Sequence, residues 1–222
     1  KTLAMEYSPK GALPSLSRVD AGTIELVRAA GVTVKSSEAL LQFAKASWGL
    51  EGRKRHYLAA HHLTELRKDA LGFVAAQLRA GKPVTERDVQ ARLEQGLKTR
   101  GLVGPAPIVA FGKHTADPTY APAAEGSATL VRGDLIVLGL AGKVEGGVFA
   151  ATTWVAIADV IVPDSVAGAF GAVAQARDEA LTLIGDRVKR HRAVKGWEVD
   201  KAAHDLLAMV GYGDKVLHRT GH

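Results

Sequence analysis

Two histidines near the end of the chain have the spacing of residues that could bind a metal ion or transfer a proton. His218 and His222 flank the tripeptide Arg-Thr-Gly and are therefore four residues apart. Imidazole is a common ligand of transition metals, and it exchanges a proton near neutral pH. From these residues alone, an ordinary polar or tag-like chain end is an open alternative.

The other candidates for chemistry are better explained as ordinary structural residues. His56, His61 and His62 lie on one predicted helix at offsets of five and six residues, which do not share a face. We expect His114 in a loop. The glycine-rich stretch 142–147 lacks the Lys-Ser/Thr pair and the following helix of a phosphate-binding loop.

Composition limits the class of protein. The chain has 222 residues, no cysteine and a formal net charge of +6. Disulfides, thiolate ligands and a thiol nucleophile are therefore excluded. Basic clusters at 53–56 and 189–192 could contact phosphates, but no aromatic residues are interleaved, so solvated helix faces are favoured over nucleic-acid binding. We find no apolar run long enough for a membrane span and no secretory leader, and we expect a cytoplasmic protein.

Apolar residues recurring every three or four positions predict two pairs of helices. The first pair is a long helix over 50–80 and a second helix that Thr85 caps and Gly101 ends. The second pair runs from about Asp164 to Arg190 and from Trp197 to Val210. Between the pairs, β-branched segments punctuated by glycine predict antiparallel strands at 108–111, 134–138 and 147–160. We expect Trp154 and Trp197 in the core.

A shift of 110 residues brings the two helix pairs into register. The segment 67–71 then falls on 177–181, and Gly101 falls on Gly211. Agreement of the caps, the charges and the glycine stop indicates a duplicated helix-helix-sheet unit. Helical layers on an antiparallel sheet make an α+β fold. We expect the second copy to begin its first strand at 216–218 and to be incomplete beyond it.

Together these residues resemble a known family. The segment Ala110–Thr153, the closing His-Arg-Thr-Gly-His and the duplicated helix pairs are similar to the pita-bread metallopeptidases, a family that includes methionine aminopeptidase, prolidase and the metal-free creatinase. The Xaa-Pro aminopeptidase-like branch fits best. The resemblance implies a pita-bread peptidase-like domain over residues 49–222, truncated in its second repeat. Residues 1–48 then form a connector resembling the end of a creatinase-type N-terminal domain.

The resemblance also implies a site with two divalent metals, such as Mn, Co or Zn. The family's two aspartate ligands fall on Gly139 and Ala151, and its substrate-side histidine falls on Thr119. His222 matches the histidine metal ligand, and His218 matches the catalytic histidine that contacts the substrate. Glycine and alanine offer no donor atom, and one imidazole cannot hold two divalent ions against hydration. We therefore expect no metal cofactor in this chain.

Three functions are consistent with the sequence. The leading hypothesis is a pseudopeptidase with a degenerate metal site, which forms a homo-oligomer such as a dimer and binds a peptide or small molecule in its cleft. The alternative is an active hydrolase, either a metal-dependent aminopeptidase in a longer protein or a metal-free creatinase-like amidinohydrolase. Creatinase relies on the histidine that Thr119 replaces, which counts against the metal-free version. The third is a binding module for nucleic acid or an acidic partner, based on the positive charge.

Overall fold

A computed structural model describes residues 1–11, 14–123 and 125–221. The helices and strands in chain order are β1 (Thr2–Met5), α1 (Ala21–Ala29), β2 (Thr33–Ser36), α2 (Glu38–Ala46), α3 (Leu50–Arg79), α4 (Glu86–Thr99), β3 (Ile108–Phe111), β4 (Leu135–Gly142), β5 (Ala150–Ile157), α5 (Asp164–Lys189) and α6 (Gly196–Met209). The predicted helix pairs and strands are confirmed, with end points that differ by a few residues. Within the described ranges, none of the helices is both long and apolar enough to cross a membrane.

The chain divides into two compact units. One comprises Lys1–Val131 and Leu135–Ala156, and the other comprises Arg132–Asp134 and Ile157–His222. The first unit begins with β1 and β2, which pair in parallel with Thr2 opposite Thr33. Helix α1 connects these two strands, and the Asp20 carboxylate caps it by accepting a hydrogen bond from the Thr23 N–H at 2.9 Å.

Further along the first unit, α3 and α4 cover one face of an antiparallel sheet with the order β3-β4-β5. Strands β3 and β4 pair with Ile108 opposite Gly139 and Phe111 opposite Ile136. Side chains alternate along β4, so the buried Leu138 and Leu140 point to the helical layer. Gly142 lies on that same face, where a Cβ atom would contact leucines of α3 and α4.

The structure repeats its helix ends at the predicted interval of 110 residues. Helices α3 and α5 end at Arg79 and Lys189, and α4 and α6 both span 14 residues. Left-handed residues follow these helices at Gly81 and His191 (φ 65° and 51°) and again at Gly101 and Gly211 (φ 65° and 86°). The N–H two residues beyond the cap returns to a carbonyl in the last turn in all four cases. The predicted duplication is therefore present in the backbone geometry.

In the second unit, α5 and α6 pack through small residues. Ala176, Ala180 and Ala203 form its buried cluster. Val173 is 58% exposed, whereas Leu63, its counterpart 110 residues earlier, is 1% exposed beneath the sheet. The prediction of a strand at 216–218 is wrong, because these residues are irregular and no described residue pairs with them to form a ladder.

Candidate functional site

The two positions where the resemblance places aspartate ligands lie on the same face of the β3-β4-β5 sheet. Gly139 alternates with the buried leucines of β4 and therefore lies on the face turned away from α3 and α4. On β5, Trp154 contacts Arg67 of α3 through a guanidinium 3.7 Å from its ring centroid. Ala151 is an odd number of residues from Trp154, so it points to the opposite face, as position 139 does.

Neither position offers a side-chain atom that could bind a metal ion, and position 139 is also crowded. A Cβ atom built on Gly139 would lie 3.1 Å from the Cβ of Ile108, its cross-strand partner. A side chain there would require Ile108 to shift by a few tenths of an ångström. In the part of the chain that the structure describes, no three histidine, aspartate or glutamate side chains form a group that could hold a metal ion.

Thr119, where the resemblance places a substrate-side histidine, belongs to a tight polar turn. Its backbone N–H and its hydroxyl both donate to Oδ1 of Asp117, at 2.8 and 2.7 Å. These two hydrogen bonds hold the pKa of Asp117 below its usual range despite a small opposing effect of burial. Both residues are exposed. Asp117 is thus an exposed, ionised carboxylate whose Oδ1 atom stabilises its own turn.

Upstream of that turn, a fully buried carboxylate organises the segment that follows β3. Glu86 is the first residue of α4, and its side chain is 0% exposed. Four groups hydrogen-bond to it: the Phe111 N–H at 2.8 Å, the His114 Nδ1 at 2.9 Å, the Tyr120 hydroxyl at 2.7 Å and the Ala128 N–H at 3.0 Å. One side chain therefore ties the start of α4 to four points between residues 111 and 128.

A second buried side chain on the same face of α4 holds the residue that precedes β3. Gln90 lies one helical turn beyond Glu86, is 4% exposed and donates from Nε2 to the carbonyl of Pro107 at 2.7 Å. Glu86 and Gln90 together hold the residues at the two ends of β3. The arrangement satisfies polar atoms that would otherwise be buried without partners.

The charge of Glu86 follows from its surroundings. Burial by itself raises the pKa of Glu86, but hydrogen bonds from Tyr120, His114 and the two backbone N–H groups together outweigh burial and hold the pKa below its usual range. Burial and the hydrogen bond to this carboxylate raise the pKa of Tyr120 to about 12. The carboxylate is thus ionised and the phenol neutral at physiological pH.

Sequence reasoning missed Glu86. It placed Thr85 correctly as the cap of α4, where the Thr85 hydroxyl accepts from the Asp88 N–H at 3.2 Å. A glutamate in the first turn of a helix is usually an exposed complement to the helix dipole. The partners of Glu86 lie 25 to 42 residues away in sequence, and no local pattern links them to it.

The structure describes one of the two histidines at the end of the chain. His218 is exposed, and its Nδ1 lies 2.8 Å from the carbonyl oxygen of Arg219. His222 lies outside the described residues. The segment between them is anchored to α6, because the Thr220 N–H donates to the carboxylate of Asp200 at 2.6 Å. The catalytic role of His218 and the ligand role of His222 stay predictions.

The prediction that Trp154 and Trp197 lie in the core is wrong. Trp154 is 45% exposed and Trp197 is 63% exposed. Trp154 lies against the Arg67 guanidinium, so a cation–π contact takes the place of apolar burial. The loop position predicted for His114 is correct in outline, since His114 lies in a short 3-10 turn at Gly112–Ala116.

Comparison with known sequences places this geometry in a family. Residues 24–222 match the profile of Metallopeptidase family M24. The putative dipeptidase YkvY of Bacillus subtilis is 30% identical over 149 residues, which cover 66% of this chain and 38% of that protein. The probable dipeptidase PepE of Mycobacterium bovis is 31% identical over 140 residues, which cover 62% of this chain and 34% of that protein. The chain therefore spans a little over a third of the length of these curated relatives.

Solved structures share the fold. Dipeptidase PepE from Mycobacterium ulcerans superposes with a TM-score of 0.68 at 24% identity, over 96% of this chain and 52% of that one. Prolidase from Thermococcus sibiricus superposes with a TM-score of 0.66 at 19% identity, over 92% of this chain and 53% of that one. X-prolyl aminopeptidase from Caenorhabditis elegans is described as a cytosolic enzyme with a di-nuclear active site. It superposes with a TM-score of 0.64 at 20% identity, over 84% of this chain and 30% of that one. The profile match and the shared pita-bread fold show that this chain belongs to Metallopeptidase family M24.

Proposed function

We propose that this chain is a peptide-binding member of the family whose own residues do not build a dinuclear metal centre. The observation that carries the proposal is the pair Gly139 and Ala151, which share one face of the sheet and present no donor atom. Two divalent ions held close together repel each other, and bridging carboxylates are what offset that repulsion. With both positions empty of carboxylates, the residues present do not fit the metal pair of the family.

The proposal extends to the turn at Thr119. A threonine hydroxyl that donates to Asp117 cannot take the place of an imidazole that contacts substrate. Neither aspartate ligand nor the substrate-side histidine is present at these positions. The aspartates would hold metal and the histidine would contact substrate, so two separate parts of the mechanism are missing. We infer that what is retained is the binding of a peptide or small molecule rather than its hydrolysis.

A hydrolysis assay tests this proposal. The whole chain is incubated with Ala-Pro and with dipeptides lacking proline, with Mn²⁺, Co²⁺ or Zn²⁺ added, and in parallel with EDTA. We expect no metal-dependent release of amino acids under any of these conditions. Metal-stimulated turnover by the purified chain, lost when EDTA is added, contradicts the proposal.

The alternative function is an active hydrolase, and the names of the curated relatives favour it. Both YkvY and PepE are named dipeptidases, and this chain spans only part of their length. In a longer protein, a metal-dependent aminopeptidase would still lack the two aspartates. A metal-free, creatinase-like amidinohydrolase would turn over creatine-like substrates in EDTA, and the change His218→Ala would abolish that turnover.

We propose a cytoplasmic homo-oligomer in which residues 1–48 act as a connector and residues 49–222 as the peptidase-like domain. Light scattering of the whole chain tests the oligomer, and a monomeric mass contradicts it. Nucleic-acid binding stays disfavoured, and any such binding must weaken steeply with salt if the basic clusters cause it.

A further inference from the structure

Every described group that hydrogen-bonds to Glu86 is a donor, and this places a hydrogen on Nδ1 of His114. The backbone N–H groups of Phe111 and Ala128 can only donate, and the Tyr120 phenol is neutral. A carboxylate in this environment is ionised and only accepts hydrogen bonds. The His114 Nδ1, at 2.9 Å from Oε1 of Glu86, must therefore carry a hydrogen.

The other nitrogen of His114 is an acceptor in the neutral form of the ring. In a neutral imidazole with hydrogen on Nδ1, the Nε2 atom has a free lone pair. Nε2 makes no hydrogen bond to another residue that the structure describes, and the side chain is 27% exposed. The ring also stacks on Tyr120, with centroids 4.3 Å apart and planes inclined by 24°. Glu86 and Tyr120 thus hold the ring from one edge and one face.

His114 lies in the turn that directly precedes the turn of Thr119. The Asp117 N–H donates to the carbonyl of His114 at 3.2 Å, and the Tyr120 N–H donates to the carbonyl of Asp117 at 3.2 Å. Tyr120, the stacking partner of His114, directly follows Thr119 in the chain. The first of these two turns thus contains an oriented imidazole five residues before the position where the resemblance places one.

We propose that His114, with Glu86 as its positioning residue, is a recognition site that accepts a hydrogen bond from a bound peptide. The donor is either the terminal ammonium or an amide N–H of the peptide, since both present N–H to an acceptor. This inference rests on the peptide binding proposed above and adds the residue that makes the contact. It involves no metal ion and no bond-breaking step.

Nuclear magnetic resonance on the whole ¹⁵N-labelled chain tests the proposal through two independent observations. Imidazole ¹⁵N shifts report which nitrogen carries hydrogen in the free protein, and the change His114→Asn assigns the signals. Two probes separate the donors: Ala-Pro offers only an ammonium, and acetyl-Ala-Pro offers only an amide N–H. Asparagine can keep a donor near the position of Nδ1 while removing Nε2, so the variant tests recognition without removing the bond to Glu86.

We expect hydrogen on Nδ1 in the free protein and a shift of the Nε2 signal when one of the two probes binds. His114→Asn should weaken binding of that probe about five-fold, the loss of one hydrogen bond. Glu86→Gln should abolish the fixed tautomer. The matched control Glu94→Gln, on the same helix and paired with Arg87 at the surface, should change neither observation.

Three results overturn the proposal. Hydrogen found on Nε2 of the free protein shows that Glu86 does not fix the ring as argued. Equal affinity of the wild type and His114→Asn for the bound probe shows that His114 does not contact the peptide, and it leaves the proposal of peptide binding intact. If neither probe binds the wild type, the peptide-binding part of the proposed function fails together with this inference, whereas the argument about the metal site is unaffected.

Discussion

Replacing Glu86 by glutamine should destabilise the protein far more than replacing a surface glutamate. The carboxylate accepts four hydrogen bonds inside the first unit, two on each oxygen. Glutamine keeps one accepting oxygen and turns the other into an amide that faces a backbone N–H, so at least one bond is lost and two buried donors face each other. An unsatisfied buried polar group costs about 1–3 kcal/mol, so these two donors give a loss of about 2–6 kcal/mol in the free energy of unfolding.

Urea denaturation followed by circular dichroism measures this loss. The control is Glu94→Gln, whose ion pair with Arg87 is part-exposed and should contribute at most about 1 kcal/mol. Ordinary surface substitutions change the free energy of unfolding by up to about 0.5 kcal/mol. If the unfolding free energy of Glu86→Gln lies within that range of the wild type, the reasoning is refuted.

The same variant has a pH signature. The folded pKa of Glu86 is depressed below its ordinary value of 4.5, so its ionised form contributes stability that is fully present above that value. The contribution is lost as pH falls through the folded pKa. The difference in unfolding free energy between wild type and Glu86→Gln should therefore be largest near neutral pH and shrink in acid. A difference that grows on acidification contradicts the assignment.

Further predictions address the neighbouring tyrosine, two glycines and a helix cap. In an ultraviolet titration, Tyr120 should ionise with a pKa of about 12 in the wild type and lower in Glu86→Gln; an unchanged titration curve counts against the contact. Gly104→Ala should destabilise by several kcal/mol, since its Cβ would overlap a backbone carbonyl of β4, whereas Gly72→Ala in open space should gain up to about 1 kcal/mol. Equal urea midpoints for the Gly104→Ala and Gly72→Ala variants would contradict the close contact of Gly104 with β4. Thr85→Ala should cost about 1 kcal/mol by the same assay, and no change would mean that its side chain does not cap α4.

The helices were predictable because their signals are local. Apolar periodicity, the Thr85 cap and the glycine stops all lie within one or two helical turns of the element they define. The 110-residue repeat was also visible, and the structure extends it to a position that sequence did not suggest. His191 adopts the left-handed conformation that Gly81 adopts in the first copy, although histidine is a costlier residue there.

The rest depended on contacts between distant residues. The parallel pairing of β1 with β2 joins segments about thirty residues apart, and β1 has no strong strand pattern of its own. The apolar character of Trp154 predicts a core position, but Trp154 lies on the edge strand β5 and is half exposed beside Arg67. Glu86 was invisible for the same reason, because its role exists only once the segment after β3 folds back onto α4.

The central claim is that the chain's own residues hold no dinuclear metal centre, and counting bound metal tests it most directly. Purified whole chain is dialysed to equilibrium against Mn²⁺, Co²⁺ or Zn²⁺, and the ions retained per chain are measured by mass spectrometry. The double variant Gly139→Asp with Ala151→Asp serves as the comparison. We predict that the wild type retains less than one ion per chain and that the double variant retains more than the wild type. Two ions per wild-type chain would contradict the account.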